Sequence, residues 1–139
     1  MDLVELAAVK LEYSRLEAVR LEVGAQFYGV MEGRLDGERI RGAVHLTNLA
    51  QGRADGVNTP TLRGLLTTED GVPVWVEMDG LATLRVEDEA RVFVTSCRFR
   101  AGAGQYAWVN TVVGVVEGVL DTGTGTARAR IYECRPTIA

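Results

Sequence analysis

Apolar and polar residues alternate with a period of two through most of this chain, and glycine-containing turns interrupt the alternation at short intervals. On this pattern eight strands are predicted, near residues 15–23, 26–33, 38–47, 60–68, 72–79, 89–99, 106–117 and 126–134. Asp36-Gly37, Asp55-Gly56, Asp70-Gly71 and Asp79-Gly80 are Asp-Gly pairs, whose members tolerate positive φ and favour tight hairpins. Gly102-Ala103-Gly104 and Gly123-Thr124-Gly125 supply two further turns. Strands joined by such short turns form an antiparallel meander. With no helices left to cover a sheet face, they close into a barrel or fold over as a two-sheet sandwich. We expect an all-β fold, a small closed antiparallel β-barrel of about eight strands, as a single domain over residues 1–139.

Only residues 1–12 carry another period. Asp2 is placed to cap a helix, Glu5 follows three residues later, and Leu3, Leu6, Ala7 and Val9 recur at helical spacing. A short N-terminal helix is predicted, and at this length it needs the barrel or a neighbouring subunit to dock on. Two of the strand segments are apolar on both faces. In 72–78 one face carries Val72, Val74, Val76 and Met78 and the other Trp75, and 108–116 is apolar on both sides almost throughout. A lone barrel buries only its lumen, so the outer faces of such strands are expected to meet another copy of the chain in a homo-oligomer.

Composition narrows the partners. Glycine, at 16 of 139 residues, exceeds the average of roughly 7%, and only three prolines occur, which suits many tight turns. The net charge of −4, with the basic residues dispersed, leaves no basic footprint for nucleic acid. There is no apolar run of about 18 residues to span a membrane, and the only cysteines, Cys97 and Cys134, match no zinc or redox spacing. These features point to a cytoplasmic protein with two unreactive thiols, although a disulfide is not excluded by the spacing.

The single histidine, His45, lies on a mostly polar strand face and reads as a surface residue; one histidine and two distant cysteines provide no metal site. Gly102-Ala103-Gly104 precedes a strand rather than a helix, so it makes no phosphate loop, and no cofactor is expected. The remaining candidates are aromatic and amide side chains: Tyr13, Tyr28, Trp75, Tyr106, Trp108 and Asn110, with Met31 and Met78. Rigid aromatic walls, adaptable methionines and a buried amide together make a small-molecule cavity.

Gly37-Glu38-Arg39-Ile40-Arg41-Gly42, Thr68-Glu69-Asp70-Gly71, Tyr106-Ala107-Trp108-Val109-Asn110 and a closing strand ending in Ile131-Tyr132 give the chain a further character. Over roughly residues 11–134 it resembles the bacterial domain of unknown function 3237 family, whose Leu-Glu-Pro-like opening is echoed by Leu11-Glu12-Tyr13. The resemblance implies a small closed barrel, usually self-associated, with no established activity, and it marks Arg63 as a retained position. Where members carry a Pro-Gly-Gly-Ala-Asp-Trp-like stretch, this chain has Leu46-Thr47-Asn48-Leu49-Ala50-Gln51.

Two functional readings result. The first is a cofactor-free enzyme enclosing a hydrophobic small molecule, a pericyclic-type cyclase or an isomerase in secondary metabolism, for which shape and water exclusion supply much of the barrier lowering. The second is a non-catalytic carrier for an apolar metabolite. The expected substrate-binding residues are Trp75, Met78, Tyr13, Asn110, Trp108, Tyr28 and Arg63, with Trp75 as the principal ligand wall near a barrel mouth.

Overall fold

A computed structural model describes Met1–Ala139. Eight long strands form the wall: β1 (Asp2–Arg20), β2 (Ala25–Asp36), β3 (Arg41–Asn48), β6 (Thr61–Thr68), β7 (Pro73–Leu84), β8 (Arg91–Arg100), β9 (Val113–Asp121) and β10 (Thr126–Arg135). Each pairs antiparallel with the next, and β1 pairs with both β2 and β10, which closes the barrel and leaves no sandwich edge. Two short strands, β4 (Gln51–Gly52) and β5 (Asn58–Thr59), form a hairpin between β3 and β6. It reaches across one end of the barrel to Ala25–Gln26 of β2 and Ala82 of β7. No helix is long and apolar enough to cross a membrane.

The expected N-terminal helix is absent, and β1 occupies its place. Leu6, Ala7, Val9 and Leu11 are buried while Lys10 and Glu12 stay exposed, which is strand alternation; the bulge between Glu5 and Ala7 produces the adjacent buried pair Leu6 and Ala7 that looked helical. Ten residues of isolated helix are marginal in water, whereas a strand here gains ladder hydrogen bonds on both edges. A second bulge between Tyr13 and Arg15 carries β1 onward as an arm, paired with residues 25–30 of β2. Of the strand expected at 15–23, residues 15–20 are therefore the far end of β1, and 21–23 lie in the turn to β2.

Two other expectations shift. Asp79-Gly80 is not a turn: β7 runs through it to Leu84, and the following turn is closed by the Arg85 N–H donating to the Ala90 carbonyl. Gly80 sits so close to β8 that a Cβ would lie 2.0 Å from the Val94 carbonyl oxygen, so glycine serves backbone approach there. The strand expected at 106–117 begins only at Val113; Ala107–Thr111 is a short 3-10 turn. Val109 and Val112 are buried within the same chain, so the two-sided apolarity of 108–112 reflects this turn.

Inward-facing side chains fill one half of the barrel densely. Leu35, Ile40, Val44, Leu66, Val74 and Ile131, with Val109 from the 3-10 turn, are essentially inaccessible and plug that end. Outside the plug the Arg39 guanidinium lies 3.8 Å from the Trp108 ring centroid and donates to Glu133 at 3.1 Å, while the Tyr106 hydroxyl donates to Asp70 at 2.8 Å.

Candidate functional site

The other half of the barrel is not filled. A cavity of about 270 Å³ lies in the lumen beneath the β4–β5 hairpin, and 15 of its 21 lining residues are hydrophobic. Eight-stranded barrels are just wide enough either to fill with side chains or to hold one small ligand, so residue size at the inward positions decides between the two. Here Ala127 and Ala129 of β10 and Ala82 of β7 face the space, together with the larger Met31, Leu62 and Met78. Glycines make room for two aromatic walls: a Cβ on Gly118 would lie 2.2 Å from the Phe93 ring, and one on Gly29 would lie 2.5 Å from the Tyr13 ring.

A few polar atoms converge on this apolar chamber. The Asn48 Nδ2 donates to the Tyr13 hydroxyl oxygen at 2.9 Å, and Asn48 Oδ1 accepts from the Thr61 N–H at 3.1 Å, so the amide ties the end of β3 to β1 and to β6. Burial holds the Tyr13 phenol above its ordinary 10.0, against a smaller lowering by the Asn48 hydrogen bond, and the group is neutral and able to donate. Thr95, on the inward face of β8 between Phe93 and Cys97, is 3% exposed, and its Oγ1 finds no partner in the protein. Arg91, at the start of the same face, lines the mouth and donates from Nη1 to the Gly56 carbonyl at the hairpin tip.

Of the sequence candidates, Tyr13, Met31 and Met78 line the chamber, and the others lie elsewhere. Trp75 is on the outer wall, where its indole N–H donates to Glu77 at 2.9 Å; that bond and the neighbouring Arg63 and Arg100 hold the Glu77 carboxyl below its usual range. Trp108 packs beneath Arg39 at the plugged end. Asn110 braces the end of β8, accepting from the Ala101 N–H at 2.8 Å and donating to its carbonyl at 2.9 Å. Tyr28 is on the exposed arm, with the Arg15 guanidinium 5.2 Å from its ring centroid. Arg63 is on the outer face of β6, paired with Asp79 at 2.9 Å. His45 is exposed, its Nδ1 3.6 Å from Glu32. Cys97 and Cys134 are both free thiols, and burial pushes the Cys97 thiol up to about 12.

Asn48, Thr95, Arg91 and Phe93 were not singled out from the sequence. A signal existed for two of them: Asn48 is the polar end of the inward series Gly42, Val44, Leu46, and Thr95 interrupts the inward series Phe93, Cys97, Phe99. A larger depression of about 670 Å³ lies on the outer wall, but only four of its 15 lining residues are hydrophobic, and its Lys10, Arg34, Arg85 and Arg128 are balanced by Glu12, Glu32, Asp88 and Asp121. It has the make-up of solvated surface, whereas the lumen combines apolar walls with convergent polar atoms.

No family model and no curated protein matches the chain. Solved structures do. A β-barrel-like protein from Acinetobacter baumannii superposes with a TM-score of 0.84 at 16% identity, over 96% of each chain. A conserved protein of unknown function from Rhodopseudomonas palustris gives 0.82 at 17% identity, covering 95% of this chain and 96% of that one. An enzyme from Penicillium herquei gives 0.72 at 18% identity, over 95% and 94%. At these identities the likeness establishes a shared barrel fold, and the chemistry of this chain has to be argued from its own lumen.

Proposed function

We propose that this chain is a small-molecule-binding barrel that holds an apolar molecule in the lumen, and that it acts there as a cofactor-independent enzyme, closing a ring or isomerising the single molecule it encloses. The observation that carries the reading is the chamber itself: about 270 Å³ of apolar space, close to the lower bound of roughly 300 Å³ for drug-sized sites, with the Tyr13 phenol, the Asn48 amide and the unpartnered Thr95 hydroxyl on its walls. Enclosure holds a flexible substrate near its reactive conformer and keeps water away. The neutral Tyr13 hydroxyl, receiving a hydrogen bond from Asn48, can donate to an oxygen on which charge develops. The architecture shared with the Penicillium herquei enzyme makes catalysis compatible with this fold. The resemblance to the domain of unknown function 3237 family supports the same small-barrel reading, and the two free thiols accord with a reducing cytoplasm.

One observation favours the carrier reading instead. None of the lining residues is Asp, Glu, His, Lys or Cys, so the chamber has no ordinary general base. Two probes separate these outcomes. Titration with 2-naphthol should raise the melting temperature saturably; Ala129→Leu, which narrows the lumen, should abolish the rise, and Trp75→Ala on the outer wall should preserve it. Ring closure of 2′-hydroxychalcone to flavanone, followed by absorbance, should then be faster than in buffer and slower in Tyr13→Phe. Saturable 2-naphthol binding without acceleration would leave a carrier. No effect of 2-naphthol, or an effect indifferent to Ala129→Leu, would overturn the lumen as the site.

A further inference from the structure

Arg91 is the one cation among the lumen-lining residues, and no carboxylate accompanies it there. The arginines of the adjoining loops are neutralised, Arg53 by Asp55 and Arg85 by Asp88, whereas no carboxylate lies within ion-pair distance of Arg91. Its side chain is half-buried, and its hydrogen bond is to the Gly56 carbonyl of the hairpin tip. A guanidinium has five N–H donors in a planar fork suited to two oxygens of one carboxylate, and a charge partly withdrawn from water gains most from an anionic partner. Along the same inward face the second unmatched polar group, Thr95 Oγ1, lies four residues further on, about 13 Å of strand. Phe93 lies between these two points on β8, and Met31, Met78 and Leu120 are among the other apolar walls of the chamber.

We infer that the ligand is an amphiphilic organic acid of one or two rings: its carboxylate pairs with Arg91 at the mouth, its ring body fills the apolar chamber, and an oxygen at its far end meets Thr95. This rests on the lumen reading above and narrows it to a substrate class. The charge selects, because an uncharged molecule of the same shape leaves the Arg91 donors unmatched, while a second anionic group has no cation deeper in the lumen to meet. Arg91 also touches the hairpin, so the acid and the β4–β5 cover are held by one side chain.

The test compares 2-naphthoate with its neutral isostere 2-naphthamide, by calorimetric titration of the full chain at low salt. The wild type should prefer the carboxylate by about 10-fold or more, and raising the salt should weaken naphthoate alone. Arg91→Gln should equalise the pair by weakening naphthoate about 10-fold more than naphthamide, and Arg91→Lys, which keeps the charge without the fork, should retain part of the preference. Equal affinities in the wild type, with 2-naphthol still bound, would overturn the acid and leave the lumen reading standing. A preference that survives Arg91→Gln would also overturn it. Failure of all three probes would remove the lumen reading and this inference with it.

Discussion

Replacing Thr95 with valine deletes one buried oxygen while keeping a β-branched side chain suited to a strand. Thr95 is 3% exposed and its hydroxyl has no partner in the protein, so the folded chain carries the desolvation cost of that group, about 1–3 kcal/mol. A methyl group in its place faces the apolar chamber at no such cost. Thr95→Val is therefore expected to stabilise the ligand-free protein by about 1–3 kcal/mol, at about 3–4 °C per kcal/mol for a chain of this size. Urea unfolding should report this as a higher midpoint at unchanged slope, which locates the effect in stability rather than in compactness. The same variant should bind 2-naphthoate unchanged and lose about 5- to 10-fold for a 2-naphthoate bearing a hydroxyl on its far ring, the worth of one hydrogen bond of about 1 kcal/mol. Gain of stability with loss of affinity is the signature of a polar group placed for a ligand. A destabilisation beyond about 1 kcal/mol with hydroxynaphthoate affinity intact would refute the reasoning and make Oγ1 part of the fold.

Asn48→Ala removes the donor to the Tyr13 hydroxyl and the acceptor of the Thr61 N–H, so a cost of about 1–3 kcal/mol is expected in urea; because that hydrogen bond lowers the Tyr13 pKa, the phenol absorbance should also titrate at higher pH in the variant. Cys97 predicts an alkaline instability: burial raises its thiol from 9.0 to about 12, so the folded state holds the proton more tightly than the unfolded chain. Stability should be full below pH 9 and fall as pH rises towards about 12, and Cys97→Ala should flatten that decline in urea midpoints. Under native conditions a thiol reagent should modify only Cys134. Leu16, Val19, Leu21 and Val23 of the β1–β2 arm are each more than half exposed, and Tyr28 and Leu49 are 43% exposed. We expect the arm to pair with that of a second chain, giving a dimer by light scattering that Val19→Asp converts to a monomer; a wild-type monomer at micromolar concentration would refute this.

The strand count and most turns were legible in the sequence because both are local properties. Asp36-Gly37, Asp55-Gly56 and Asp70-Gly71 do turn the chain, and Gly56 and Gly71 hold φ values of 84° and 85° that glycine adopts without strain. The Asp79-Gly80 pair carries the same local signal and lies mid-strand, because the approach of β8 is a condition set by a neighbour 14 residues away. Residues 2–11 satisfied two periods at once, and pairing with both β2 and β10 selected the strand.

For the site, the sequence by itself determined the materials: an all-β chain with isolated polar residues set among apolar ones, a single histidine, and no cluster of metal ligands or bases. The tertiary structure decided which face of each strand is lumen. Alternation assigns Val74, Val76 and Met78 to one side of β7 and Trp75, Glu77 and Asp79 to the other, yet the large aromatic Trp75 on the second side is as suited to a ligand wall as Met78 on the first. Closure between β1 and β10 turns Met78 inward and Trp75 outward, and it brings Tyr13, Asn48, Arg91 and Thr95, from three separate strands, around one chamber. The physical reason is that a strand's period is a property of its own backbone, whereas lumen and wall exist only once the sheet has closed upon itself.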